Sequence, residues 1–207
     1  MLFYSLTMQP KILTLLSALL ISAAGQVSRP AAGDADAALR RGIEAQQRGN
    51  LSSAIEEYRK ALAINPELVD ARANLGVALA ETGQFDAAIV EDRRALEKSP
   101  DKAAVRKNLA LAYYKKGDLA GARPEFQSVH EARPGDVSVT LLLGYCDVKL
   151  GRASEAVALL KPLEGTQGTN PDFQFVLASA LIQAGRKGEG LPMMEKVARS
   201  TRSAEDY

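Results

Sequence analysis

Five glycines constrain this chain more than any other feature: Gly49, Gly83, Gly117, Gly151 and Gly185 recur at a constant step of 34 residues. A fixed period of that length marks a chain assembled from copies of one small structural unit. Three more columns keep the step. One holds Ala54, Ala88, Ala122, Ala156 and Gly190. A second holds Gly42, Gly76, Ala110, Gly144 and Ala178, and a third holds Pro66, Pro100 and Pro134, failing only at Gly168. Apolar residues fill further columns: Leu75, Leu109, Leu143 and Leu177 ahead of the glycine, Leu51, Phe85 and Leu119 just after it, then Tyr58, Phe126, Leu160 and Met194. Their spacing lays one apolar stripe along each of two helices per unit.

Each column has a physical reason. A glycine between two helices supplies the left-handed backbone that ends the first at low cost. Gly or Ala on facing sides lets the paired helices approach. Proline stops the second helix because it cannot continue the hydrogen-bond ladder. The pattern predicts helix pairs over 35–48 and 52–64, 69–82 and 86–98, 102–116 and 120–131, 137–150 and 154–163, and 171–184 and 188–199. Asn170 followed by Pro171 reads as a helix start, Asp136 as a cap for the fourth pair, and Ser53 with Glu56 as a capping box. Pro124 and Pro192 fall in or just after a first turn, where they cost little. Pro162 falls late and predicts an early stop, followed by a loose loop over 165–170.

These columns resemble the tetratricopeptide repeat, with Leu75-Gly76, Gly83, Phe85, Ala88, Ala95 and Pro100 of the second unit matching most fully. The resemblance implies an all-α, right-handed superhelical solenoid of about five helix–turn–helix repeats: 35–68, 69–102, 103–136, 137–170 and 171–204. Residues 205–207 would open a truncated sixth. The chain departs from the family pattern where a bulky aromatic belongs early in each first helix: Ala38, Arg72, Arg106, Thr140 and Gln174 stand there instead. Arg41 replaces Leu in the first repeat, as suits an end facing solvent, and Asp92 occupies an aromatic column of the second. Both kinds of departure predict locally weaker packing.

Chemistry is sparse. The chain has one His and one Cys, and carries a net charge of only +1. His130 shares a column with Leu62 and Leu96 and reads as a partly buried helix-end residue. Cys146 shares one with Ala78, Ala112 and Ala180 and reads as packing. Neither has a partner suggesting a nucleophile, a base or a metal site, so no enzyme activity, cofactor or small-molecule substrate is expected. Glu56-Glu57 and Glu91-Asp92 read as solvated carboxylates on the outer side of second helices. The basic pairs Arg40-Arg41, Arg93-Arg94 and Lys115-Lys116 are interspersed with acids and form no stripe, so nucleic acid is not expected as a partner.

What remains is a surface for other proteins or peptides. The family geometry implies a concave groove lined by first helices, and here it assigns Asn74, Val77, Lys107, Asn108, Leu111, Tyr114, Lys115, Leu141, Tyr145, Lys149 and Phe175 to it. Asn74 and Asn108 share a column, and an amide both donates to and accepts from a peptide backbone. Tyr114, Tyr145 and Phe175 flanked by Lys115 and Lys149 suit an apolar segment carrying acids, and equally suit plain packing between repeats. Ala104 stands where a carboxylate clamp of chaperone-binding relatives needs Lys, so chaperone binding is not expected.

Residues 1–25 read as a secretory signal: Lys11, an apolar run from Ile12 to Ala24, then small residues. The run falls short of the roughly 20 residues that span a bilayer. Residues 26–34 read as a flexible spacer, and the setting as exported, periplasmic or secreted, with membrane anchoring if the signal stays. At the other end, Leu191, Met194 and Val197 would lie on an uncapped face. Three expectations follow from that face: a longer parent chain, self-association through the last helix, or repeats serving a larger enzyme such as a glycosyltransferase or protease. N-terminal sequencing of the exported chain is expected to start near Gly25 or Gln26; an intact Lys11 segment would show that the signal is retained.

Overall fold

The structure, a computed structural model, describes residues 32–205. They form consecutive helix–turn–helix pairs: α1 (Ala32–Gln47) with α2 (Leu51–Ile64), α3 (Val69–Glu81) with α4 (Phe85–Lys98), and α5 (Ala103–Lys116) with α6 (Leu119–Ala132). The fourth pair is α7 (Val137–Lys149) with α8 (Ala153–Leu160), continued by a 3-10 turn at Lys161–Leu163 and the one-turn α9 (Glu164–Gln167). The fifth is α10 (Pro171–Gln183) with α11 (Lys187–Glu205). The pairs stack into a right-handed superhelical solenoid, with second helices wedged against the next first helix and consecutive first helices meeting along the inner side. No described helix is long and apolar enough to cross a membrane.

The turn glycines do what the period requires. All five have positive φ, between 74° and 86°, and no other described residue does. That conformation is open to Gly and strained for any side chain. Four helix starts, those of α2, α6, α7 and α10, are set by side chains that satisfy the first free N–H groups. Asn50 accepts from the Ser53 amide, Asp118 from Gly121, Asp136 from Val139, and Asn170 from both Asp172 and Phe173. The capping box at Ser53 and Glu56 does not form: Asn50 caps one turn earlier and Ser53 supplies the amide instead.

In the first and fourth pairs a bulky side chain of the second helix lies over the glycine of the first. A Cβ on Gly42 would fall within 2.5 Å of the Tyr58 ring, and one on Gly144 within 2.7 Å of Leu160. Tyr58 and Leu160 are fully buried there, as is Phe126 in the same column, and each contributes roughly 1.5–3 kcal/mol of apolar burial. Tyr58 also donates its hydroxyl to Gln46 Oε1 at 2.7 Å.

The missing early aromatics are replaced by tethers. Arg72 donates to Glu91 at 2.7 Å and to the Pro66 carbonyl at 2.7 Å. Arg106, one repeat on, donates to Glu125 at 2.8 Å and to the Pro100 carbonyl at 3.1 Å. Gln174 bonds the Gly168 carbonyl in the same column, and Thr140 bonds the Asp136 carbonyl and the His130 ring. In this column the polar side chain pins the loop between repeats, so the expected weakness is offset. Glu91 and Glu57 are accordingly paired and half-buried rather than solvated, Glu57 taking Arg41 and Lys60.

Two further expectations are corrected. Pro162 does end α8 early, but residues 164–167 continue as α9, so the segment is less loose than its glycines imply. On α11, Leu191 is 50% exposed, whereas Met194 and Val197 are partly covered.

Between the third and fourth repeats the apolar core is interrupted by charge. Arg123 of α6 meets Asp147 of α7, whose side chain is 3% exposed, with Arg152 3.4 Å from the same oxygen. The equivalent columns elsewhere hold Ile55, Ile89 and Val157 facing the columns of Leu79, Tyr113 and Leu181. Losing Arg123 would leave the buried Asp147 carboxylate with only the more distant and more exposed Arg152. Because Arg152 remains, Arg123→Leu is expected to cost about 2 kcal/mol in urea denaturation, less than a fully unpaired buried charge. Combining Arg123→Ile with Asp147→Leu should recover most of that loss.

Candidate interaction groove

The first helices α3, α5, α7 and α10 present the inner side of the stack, and two clefts open between them. Tyr114 of α5, Leu141, Leu142 and Tyr145 of α7, and Asp172, Phe175 and Val176 of α10 line a cleft of about 260 Å³. Its walls are aromatic and its contacts ordered: Tyr145 stands edge-on to Tyr114 with ring centres 5.7 Å apart, and Tyr114 edge-on to Phe126 at 6.3 Å. Burial and the neighbouring Tyr145 push the Tyr114 phenol above its usual value. Lys149 lies over the Tyr145 ring at 5.5 Å, so one lysine of the groove is held as a cation on an aromatic face. Phe175 closes the cleft and is 46% exposed.

The second cleft, of about 160 Å³, lies between α3 and α5. It is lined by Gly76, Val77, Ala80 and Glu81 of α3, Asn108, Leu111 and Lys115 of α5, and Asp92 of α4. Thus Val77, Asn108, Leu111 and Lys115 come together here, while Tyr114, Leu141, Tyr145 and Phe175 meet in the first cleft. Asn74 lines neither. Lys107 is engaged elsewhere: it donates to Asp136 at 2.8 Å, and this bond, more than any other interaction, holds the Asp136 carboxyl below its usual value. Lys107 therefore steadies the cap of α7.

Asp92, like Glu57 and Glu91, departs from the solvated position that its residue type predicts. It was expected on the solvated side; it is 1% exposed, and neither carboxylate oxygen has a hydrogen-bond partner. The signal was present in its column, shared with Tyr58, Phe126 and Leu160, which points inward by period whatever the residue type. Burial, and then the charge of Glu91, push its carboxyl up to about 8. The cleft above it is the space that a ring would fill. Tyr58 spans from Gly42 to Gln46 in the first repeat, and the cleft spans Gly76 to Ala80, the same two columns.

Cys146 and His130 occupy the packing places that the sequence assigns them. Cys146 is fully buried, and burial, followed by the charge of Asp147, pushes its thiol up to about 11. His130 is held to Thr140 at 2.9 Å. Among the described residues no group of His, Cys, Asp and Glu is placed to hold a metal ion.

A carboxyl that ionises near pH 8 when folded and near 3.9 when unfolded binds its proton more tightly in the folded state. Stability is then full below about pH 4 and is lost as pH rises towards 8. Asp92→Phe, which restores the column's usual ring, is expected to remove that decline and to raise stability at pH 7 by about 2 kcal/mol. Urea midpoints between pH 4 and 9 measure both.

Comparison with known proteins agrees with this architecture. Tetratricopeptide-repeat family models match residues 46–83, 78–117 and 115–174, together more than half of the chain. No curated protein sequence matches it. Among solved structures it is similar to MamA AMB-1, at 27% identity and TM-score 0.72, covering 80% of this chain and 90% of that one. MamA MSR-1 is similar at 26% identity and TM-score 0.71, covering 82% and 98%. YrrB, described as a TPR protein with an unusual peptide-binding site, shares the fold at 17% identity and TM-score 0.74, covering 86% and 89%. Period, helix pairing and family match converge: the chain belongs to the tetratricopeptide-repeat family.

Proposed function

We propose that this chain is a non-catalytic protein-interaction scaffold whose inner face holds an extended segment or a helix of a partner protein. The observation that carries this reading is the aromatic cleft of Tyr114, Leu141, Tyr145 and Phe175. A half-exposed Phe beside two edge-packed Tyr rings is costly surface to leave in water, and it matches the aromatic anchors that dominate protein interfaces. The rings are already fixed by their mutual packing, so little side-chain entropy is lost when a partner's apolar side chain enters.

The flanking groups set selectivity. Lys149 at the Tyr145 ring and the exposed Lys115 favour a segment with acidic residues beside its apolar anchor. Asn108, at the rim of the neighbouring cleft, offers an amide to a peptide backbone; Asn74, one repeat earlier, extends that row. The export setting is proposed on the sequence of residues 1–25 alone, which lie outside the described residues.

Partner peptide affinity tests the reading. Tyr145→Ala and Phe175→Ala are each expected to weaken binding by about tenfold or more, measured by isothermal titration, with the helical circular dichroism signal retained. Asn74→Ala with Asn108→Ala should weaken it by several-fold. Unchanged affinity in all these variants removes the groove as the binding site.

A further inference from the structure

We propose that the cleft over Asp92 is a socket for one arginine side chain of the bound segment, whose guanidinium pairs with the Asp92 carboxylate. The inference rests on the groove reading above and adds the chemistry of one contact. Both oxygens of Asp92 are unpartnered in a residue 1% exposed. A buried carboxylate without donors is costly, and nothing in the chain's own packing relieves it. The cleft between α3 and α5 is lined by Asp92 together with Gly76, against whose backbone the two oxygens pack.

The shape agrees with the charge. The cleft replaces a planar ring, and a guanidinium is planar and presents parallel donors that match a carboxylate fork. Val77, Ala80 and Leu111 give apolar walls for the methylene stem. The charged groups around Asp92 are Glu81 on α3, Lys115 on α5, and Glu91 on its own helix. Glu81 and Lys115 offset one another at the rim, so the floor carboxylate decides the preference for a cation. Arginine binding releases the proton that burial keeps on Asp92 at neutral pH.

The register of the partner follows from helix spacing. The Asp92 cleft lies between α3 and α5, and Tyr114 of α5 is the wall of the aromatic cleft that shares a helix with it, so one helix spacing separates the Asp92 cleft from that near wall. Packed helices are about 8–10 Å apart, and an extended chain covers about 10 Å in three residues. The fitting segment therefore carries arginine and an apolar anchor about three positions apart.

The test uses three end-blocked heptapeptides that differ only at the centre, arginine, lysine or citrulline, each with leucine three positions to either side. Binding to the full chain is measured by fluorescence anisotropy at pH 7 and pH 9. The arginine peptide is expected to bind at least about tenfold tighter than the other two at pH 9. Its affinity should rise about tenfold from pH 7 to pH 9 as the competent ionised state becomes dominant, and the citrulline peptide's should not. Asp92→Asn should abolish both differences. Equal affinity of the arginine peptide and either replacement for the native chain overturns the socket, whether or not the variant folds. If all three then still weaken in Tyr145→Ala, the groove stands without it. No binding by any of the three overturns both.

Discussion

Everything in this molecule depends on one close approach: a glycine on the first helix lets a side chain of the second lie flat against its backbone. Tyr58 over Gly42 and Leu160 over Gly144 leave no room for a methyl group between them. That contact sets how near the helices stand, and so sets the shape of the brick from which the solenoid is built. Because each brick contacts only its neighbours, the curvature of the inner face is a sum of these small local geometries.

The same contact explains the two places where the chain departs from uniformity. At Asp92 the small residue is kept and the ring is lost, so the close approach survives and a void appears beside a buried acid. Between Arg123 and Asp147 the departure is paired, and charge meets charge where other repeats place apolar residues. The first arrangement leaves an unmet demand for a donor; the second satisfies its own. A stack of near-identical units makes such differences visible, because the neighbouring repeats show what packing would otherwise have done.

The tethers of Arg72, Arg106 and Gln174 to the carbonyls of Pro66, Pro100 and Gly168 show how a repeat protein holds its loops without the family's usual aromatic. A guanidinium replaces ring burial by hydrogen bonds and an ion pair to the second helix. The loops between repeats are thus secured on the outer side, while the inner side keeps its exposed rings for contact with another molecule.

Periodicity by itself determined the helix pairs and their turns, because they recur with the columns; the caps at Asp136 and Asn170 were legible from residue type, because a cap needs only neighbours close in sequence. The family resemblance, not the period, assigned Tyr114, Tyr145 and Phe175 to one face, since they occupy three different columns. Neither showed that Lys107 is committed to Asp136, that Asn50 displaces the Ser53 cap, or that Glu91 is tied to Arg72. Those outcomes depend on which of several polar groups reaches its partner first in space. Asp92 is the clearest case: residue type argued for solvent and column argued for the core. Only the tertiary packing, which commits a column to the interior whatever residue it carries, decided between them.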